Sequence, residues 1–273
     1  MPELPEAESI RRALDRALQG AKIAQVEVFS PRMRTDLRPL LSADLPGRRI
    51  TGVRRRGRYV CADLDDGRTL VMHFGMSGVV RVENFAAPRR KHEHLFLHFT
   101  DGRIFKFECT RRFSLFEVHE LDSSGWPEML SGLGPEPLTE DFNGKYLFEA
   151  AVKSRAPIKV LLMDNACVCG IGNIYASETL FAAGVRPDRR ANSVSRAECD
   201  VIVREVKRIL LRAIELGGTT VSDFKNVDGS EGQFVQELQI YGRRNGKCPK
   251  CGADVCEVRL GGRSSCYCPK CQH

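Results

Sequence analysis

The sequence predicts an α+β protein: an N-terminal antiparallel β-sandwich flanked by a helix, then a helical half, then a small metal-clipped module. Three observations carry this expectation. Apolar residues keep a helical spacing at Leu4, Ala7, Ile10, Leu14 and Leu18. Between residues 22 and 118, short β-rich runs alternate with turn signals. At the far end, Cys248-Pro-Lys-Cys251 and Cys268-Pro-Lys-Cys271 make two CxxC knuckles.

Taken in order, residues 3–19 read as one amphipathic helix, with Pro5 suited to its first turn and Gly20 to its end. Strands are expected at 22–29, 49–53, 58–64, 69–74, 94–99, 103–108 and 112–118. Asp66-Gly67 and Asp101-Gly102 fall between such runs, as tight hairpins require. The expected N-terminal domain is 1–125. Residues 122–145 are rich in Gly, Pro and polar side chains, and 126–145 is taken as the linker. A helical domain follows over 146–235. There Asn173 is expected to cap a helix ending at Gly184, and Ser195 with Glu198 makes a capping box for a helix running to Gly217-Gly218. Residues 236–273 form the last module, too short and polar to fold without a metal.

At 273 residues the chain can bury two cores. Its formal charge is +7, and Arg and Lys cluster in runs such as Arg54-Arg55-Arg56, Arg89-Arg90-Lys91, Arg111-Arg112 and Arg243-Arg244. Such an excess suits a polyanion partner. No apolar run reaches the ~18 residues of a membrane span. The start has neither a basic region nor an apolar core of the kind that directs secretion. Eleven cysteines without such a signal favour a reducing cytoplasm, and metal binding over disulfides.

Two sites carry chemistry. If Met1 is removed, the chain begins with the secondary amine of Pro2. An α-amino group titrates near about 8, so much of it is free to act as a nucleophile at neutral pH. Glu3 and Glu6 lie within a helical turn of it, although acids at a helix start also simply complement the dipole. At the other end, 16 residues separate the knuckles, and Cys248, Cys251, Cys268 and Cys271 complete a tetrahedral sulfur site for one structural zinc. Cys256 and Cys266 fit a knuckle less well and read as small buried hydrophobes. Gly170-Ile-Gly-Asn173 before a helix can let a phosphate approach the backbone, or can be a plain interhelix turn. His73-Phe-Gly-Met-Ser77 and Arg111-Arg112-Phe113 are likewise open between a binding role and an ordinary strand end or basic turn.

In combination these pieces resemble the bacterial formamidopyrimidine-DNA glycosylases over nearly the whole chain. The resemblance rests on MPELPEAES at the start, HFGMSG at 73–78, KHEH at 91–94, RRF at 111–113 and LGPEPL at 133–138. It continues through MDNACVCGIGNIYASETLFAAG at 163–184, GGTT at 217–220, QELQIYGR at 236–243 and the zinc-ribbon end with Arg263. It implies a β-sandwich, a helix-two-turns-helix domain and a zinc finger, with DNA in the cleft between domains. It further implies a bifunctional base-excision-repair glycosylase and lyase for oxidised purines, acting on damaged double-stranded DNA as a cytoplasmic monomer. By this resemblance Pro2 attacks the sugar, with Glu3 as acid/base partner, Glu6 in support and Arg58 beside the lesion phosphate. Met76, Arg111 and Phe113 fill the space left by the flipped base and kink the duplex. Asn173 and Arg263 grip the phosphates around the lesion, with His73, His92, Lys159 and Tyr241 as further contacts, and residues 218–233 close over the base.

The chain departs from the family pattern at three places. Arg58 stands where a lysine is usual, Cys109-Thr110 precedes Arg111-Arg112-Phe113 where DPRRF is usual, and CVCG at 167–170 replaces an aliphatic pair. Two other readings remain: an endonuclease VIII-type glycosylase for oxidised pyrimidines, and a catalytically weakened damage-binding paralogue. The PELPE start and the RRF run favour the purine type over the first.

Overall fold

The computed structural model describes residues 2–30, 32–84, 88–219 and 232–273. They fall into two compact units, Met1–Ser131 with Leu216–Gln233, and Gly132–Glu215 with Phe234–His273.

The first unit opens with α1 (Leu4–Leu18), whose buried face is the apolar stripe Leu4, Ala7, Ile10, Leu14 and Leu18. The strands β1 (Ile23–Val28), β2 (Ile50–Arg56), β3 (Tyr59–Leu64), β4 (Arg68–His73), β5 (Gly78–Glu83), β6 (Glu93–Phe99), β7 (Ile104–Cys109) and β8 (Leu115–Glu120) follow, with a single-turn helix α2 (Pro39–Ser42) after β1. They build two four-stranded sheets, ordered β1-β6-β7-β5 and β2-β3-β4-β8. Every pairing is antiparallel. Val53, Val60, Leu70, Met72 and Phe116 of one sheet share a core with Val80, Leu95, Leu97, Phe105 and Phe107 of the other and with α1. The two sheets therefore make a sandwich with α1 on its flank, because each buries one face and the helix covers what is left apolar.

Two details differ from the sequence expectation. Strand β5 was not anticipated. Val80 and Val82 alternate with Arg81 and Glu83, but the run starts at a glycine and is only half buried, so its pattern is weak. Arg58 does not lie in a strand. Arg56 pairs with Tyr59, so Gly57-Arg58 is the two-residue turn of the β2–β3 hairpin, and Gly57 adopts φ +57° there. Tight hairpin turns need positive φ, which is why a glycine precedes Arg58.

The second unit is helical: α3 (Gly144–Val152), α4 (Ile158–Leu162), α5 (Asn173–Ala183) and α6 (Arg196–Glu215), then the ribbon β9 (Cys256–Leu260) and β10 (Arg263–Tyr267). α5 is buried from Tyr175 to Phe181 and ends on Gly184 at φ +71°, a left-handed C-cap. Its N-cap, however, is Gly172, and Asn173 is the first helical residue rather than the cap. α6 begins on the anticipated capping box. Glu198 N–H donates to Ser195 Oγ at 3.3 Å, and Ser195 N–H donates to Glu198 Oε2 at 2.8 Å. Arg189 and Ser195 together hold the Glu198 carboxyl down to about 2, against the cost of burial. No helix among the described residues is long and apolar enough to cross a membrane.

Candidate active site and nucleic-acid interface

In the first unit the chemistry collects at the start of α1. Pro2, Glu3 and Glu6 are all buried there. Glu6 Oε2 accepts the Glu3 N–H at 2.8 Å, which satisfies one of the amides a helix start leaves open. Its other oxygen accepts the Thr219 N–H at 2.7 Å. Gly218, at φ +84°, leaves no room for a side chain: a Cβ there would lie 2.8 Å from Glu6 Oε1. Gln233 N–H donates to Leu216 O at 2.9 Å, and Thr219 bridges to Gln233. One carboxylate thus joins the N-terminal turn to the closed base of the segment 218–233. The rest of that segment, 220–231, lies outside the described residues, as does Met1.

A second chain of contacts runs from α1 to Arg58. Glu8 receives Arg55 Nε at 3.1 Å, and Arg55 Nη1 donates to Gly57 O at 2.9 Å in the turn that carries Arg58. Arg58 itself is nearly buried. His73, at the end of β4, accepts the Gly75 N–H on Nδ1 at 3.2 Å. Burial, with Arg34 and Arg58 nearby, pushes its pKa from 6.5 down to about 4. The ring is neutral at physiological pH, and Nδ1 is committed as an acceptor, so its proton sits on Nε2.

Two turns at one end of the sandwich meet. Met76 lies in the β4–β5 turn, and Arg111 and Phe113 lie in the β7–β8 turn. Arg111 N–H donates to Ser77 Oγ at 3.1 Å, and Arg111 Nη1 approaches Met76 Sδ at 3.9 Å. Gly75 is required by this contact, since a Cβ on it would stand 2.6 Å from Phe113 O. Phe113 is 55% exposed, far more than a core aromatic, so it projects from a braced turn. His92 precedes β6, half-buried, and its carbonyl accepts the Cys109 N–H at 2.9 Å.

In the second unit Lys159 is fully buried on α4, and its Nζ donates to Ser265 Oγ at 2.7 Å, docking the helix on β10. Arg263 starts β10, exposed, directly after the Gly261-Gly262 turn in which both φ values are positive. Asn173 occupies the first turn of α5, and its buried Oδ1 has no hydrogen-bond partner. Tyr241 is half-buried and its N–H donates to Glu178 Oε1 at 2.7 Å. Glu178 also accepts the N–H groups of Gln239 and Ile240, both at 2.9 Å. The sequence reading gave Glu178 no role. The available signal is one acid in a helix otherwise built of apolar and small polar residues.

The four cysteines of the two knuckles, Cys248, Cys251, Cys268 and Cys271, place their sulfurs within 4.8 Å of one another. Each knuckle is built by its own backbone. Gly252 N–H donates to Cys248 O at 2.9 Å, and Gln272 N–H donates to Cys268 O at 3.1 Å. Four convergent thiols are a donor set that suits a closed tetrahedral metal site. Cys266 is buried in the small core beneath, and Cys256 lies at the start of β9. Neither belongs to the sulfur cluster.

The family models decide the lineage. The Formamidopyrimidine-DNA glycosylase N-terminal domain matches residues 1–116, and the Formamidopyrimidine-DNA glycosylase H2TH domain matches 133–225. The chain belongs to the formamidopyrimidine-DNA glycosylase family. It is 43% identical over 262 residues to the formamidopyrimidine-DNA glycosylase of Salmonella arizonae, covering 95% of each chain. The fold is similar to a Lactococcus lactis enzyme mutant solved with a Fapy-dG-containing DNA, at TM-score 0.91 and 35% identity over the full length of both chains. It is equally similar to the Lactococcus lactis protein in complex with an abasic-site DNA, at TM-score 0.90 and 35% identity over 99% of both.

Proposed function

We propose that this protein is a base-excision-repair DNA glycosylase for oxidised purines that also cleaves the resulting abasic site. The observation that supports the reading is the buried turn Pro2-Glu3-Leu4-Pro5-Glu6 in a chain of this family, where removal of Met1 would leave a terminal secondary amine near two carboxylates. Damaged duplex DNA is the substrate, and the target nucleotide must leave the stack to reach the amine.

The chemistry assigned to this chain begins at Pro2 once Met1 has been removed. The Pro2 nitrogen bonds to C1′ as the bond from C1′ to the base nitrogen breaks, and the base leaves with the electron pair and takes up a proton. The ring oxygen then departs from C1′ with a proton from Glu3, leaving an iminium between Pro2 and the opened sugar. The iminium accepts electrons, so loss of a C2′ proton expels the 3′ phosphate and a second elimination expels the 5′ phosphate. Water then hydrolyses the iminium and frees Pro2. Glu6, tied to both Glu3 and Thr219, holds the turn in register for these steps.

Met76, Arg111 and Phe113 are assigned to the space the flipped nucleotide vacates. Arg58, His73, His92, Lys159, Asn173, Tyr241 and Arg263 are assigned to the DNA. The neutral His73 ring offers a hydrogen bond rather than a charge, and Asn173 brings a side-chain amide to a helix start suited to phosphate. Cys248, Cys251, Cys268 and Cys271 hold one zinc ion. It supplies structure, because four thiolates leave no open position for water. On this reading 1–125 is the catalytic domain, 146–235 the helical DNA-binding domain and 236–273 the finger, and one chain in the cytoplasm is the working unit.

Borohydride trapping on an abasic duplex tests the reading. A covalent adduct in wild type that is weakened in Pro2→Gly, with DNA binding largely retained, is the expected result. Protein that keeps Met1 and still forms the adduct overturns the assignment of Pro2. Oligonucleotides carrying 8-oxoguanine, formamidopyrimidine or dihydrouracil, each opposite C and A, distinguish the purine reading from the pyrimidine type.

A further inference from the structure

The buried thiol of Cys109 lies between the turn that carries half-buried Met76 and the turn that carries exposed Arg111 and Phe113. It is the last residue of β7 and has no solvent exposure. Its sulfur accepts the Arg112 N–H at 3.2 Å and lies 3.3 Å from Ser114 Oγ and 3.6 Å from Ser77 Oγ. Each of these partners belongs to one of the two turns. Ser77 Oγ in turn accepts the Arg111 N–H, and Ser114 Oγ donates to Phe74 O at 2.9 Å. Ser114 Oγ has one proton, which it shares between Phe74 O and the Cys109 sulfur.

The turn needs such a brace. Arg112 adopts φ +59°, a left-handed conformation that non-glycine residues rarely hold without support. The Arg112 N–H to sulfur contact is made at that residue, and Arg111 and Phe113 flank it. The family usually places an aspartate here, followed by a proline. Cys109-Thr110 lacks both the carboxylate acceptor and the rigid ring, and the sulfur with its two serines takes over the acceptor role.

Resting on the glycosylase reading, we propose that Cys109 is a positioning residue for lesion opening. Through its sulfur it locks the Met76 turn to the Arg111–Phe113 turn, so that both enter the duplex as one rigid wedge. Cys109→Val puts a slightly larger apolar side chain there and removes the acceptor; Cys109→Asp restores an acceptor for the Arg112 N–H and the Ser77 hydroxyl.

The test compares wild type and both variants on a duplex carrying 8-oxoguanine and on a single-stranded abasic oligonucleotide, where no partner strand has to be opened. Cys109→Val is expected to slow single-turnover excision from the duplex by about ten-fold or more, the scale of an ångström-level misplacement. Borohydride trapping on the single strand is expected to be unchanged, and Cys109→Asp is expected to restore the duplex rate. Equal duplex rates overturn the proposal, and so does a parallel fall in both readouts that Asp does not restore. Failure of the glycosylase reading is visible separately, as a wild type that neither traps the abasic strand nor excises 8-oxoguanine from the duplex. The wedge is also read without chemistry, from fluorescence of 2-aminopurine opposite an abasic analogue. Wild type is expected to unstack it and Cys109→Val to leave it stacked.

Discussion

Arg58 replaces a lysine usual in the family and sits nearly buried in a hairpin turn pinned by Glu8 and Arg55. A guanidinium stays protonated at any working pH, so it anchors a phosphate but relays no proton. Arg58→Lys is therefore predicted to raise 8-oxoguanine excision roughly ten-fold, the scale of one acid/base contact. Formamidopyrimidine excision and abasic cleavage are expected to change little. Single-turnover rates on the three substrates check this; equal rate ratios mean that Arg58 acts only as a clamp. His73 gives a stability prediction. Its folded pKa, about 4, is below its ordinary 6.5 because burial, with Arg34 and Arg58, disfavours the charged ring. Below 6.5 the unfolded chain takes up a proton that the folded chain refuses until about 4. The contribution is thus complete above 6.5 and is lost as pH falls through that window, by about 3 kcal/mol in all. Denaturant midpoints measured across this range should fall with acid in wild type and lose much of that slope in His73→Asn.

At the scale of elements, two devices are separable from the Pro2–Glu6 turn. The capping box of α6 ties Ser195 to Glu198, and Ser195→Ala is predicted to cost about 1 kcal/mol, read as a lower urea midpoint with an unchanged slope. Abasic cleavage should be unaffected, since among the described residues the box bonds to the helix start and Arg189. The β9–β10 ribbon packs on a small core of Phe181, Ile240, Val255 and cysteines, and is predicted to depend on a metal held by its four converging sulfurs. Cys268→Ser is expected to lose the metal, loosen the ribbon and displace Arg263, which follows the Gly261-Gly262 turn. Zinc content and DNA affinity should fall together; full zinc with full affinity in this variant contradicts the ligand set.

At the scale of the whole molecule, the net charge of +7 predicts how binding responds to salt. Each phosphate neutralised by Lys or Arg releases counterions, so log affinity should fall linearly with log salt. Roughly six such contacts lose a thousand-fold between about 50 and 200 mM. A titration of an abasic duplex across that range checks it, and a flat line means that basic contacts do not dominate. Elements whose signals are local are legible along the chain. The 3.6-residue stripe of α1, the Asp66-Gly67 and Asp101-Gly102 hairpins, the Ser195–Glu198 box and the two CxxC knuckles each need only neighbours along the chain. β5 leaves little trace along the chain because its pattern is half-buried, and Asn173 carries the side-chain signal of a cap while Gly172, the true cap, has no side chain. Only the tertiary structure decided which distant groups share a proton or a lone pair. Glu6 meets Thr219, Glu178 meets Gln239, Ile240 and Tyr241, and Cys109 meets Ser77 and Ser114. Hydrogen bonds are short-ranged and directional, so these pairings exist only once sheets and helices have packed, and no spacing along the chain encodes them.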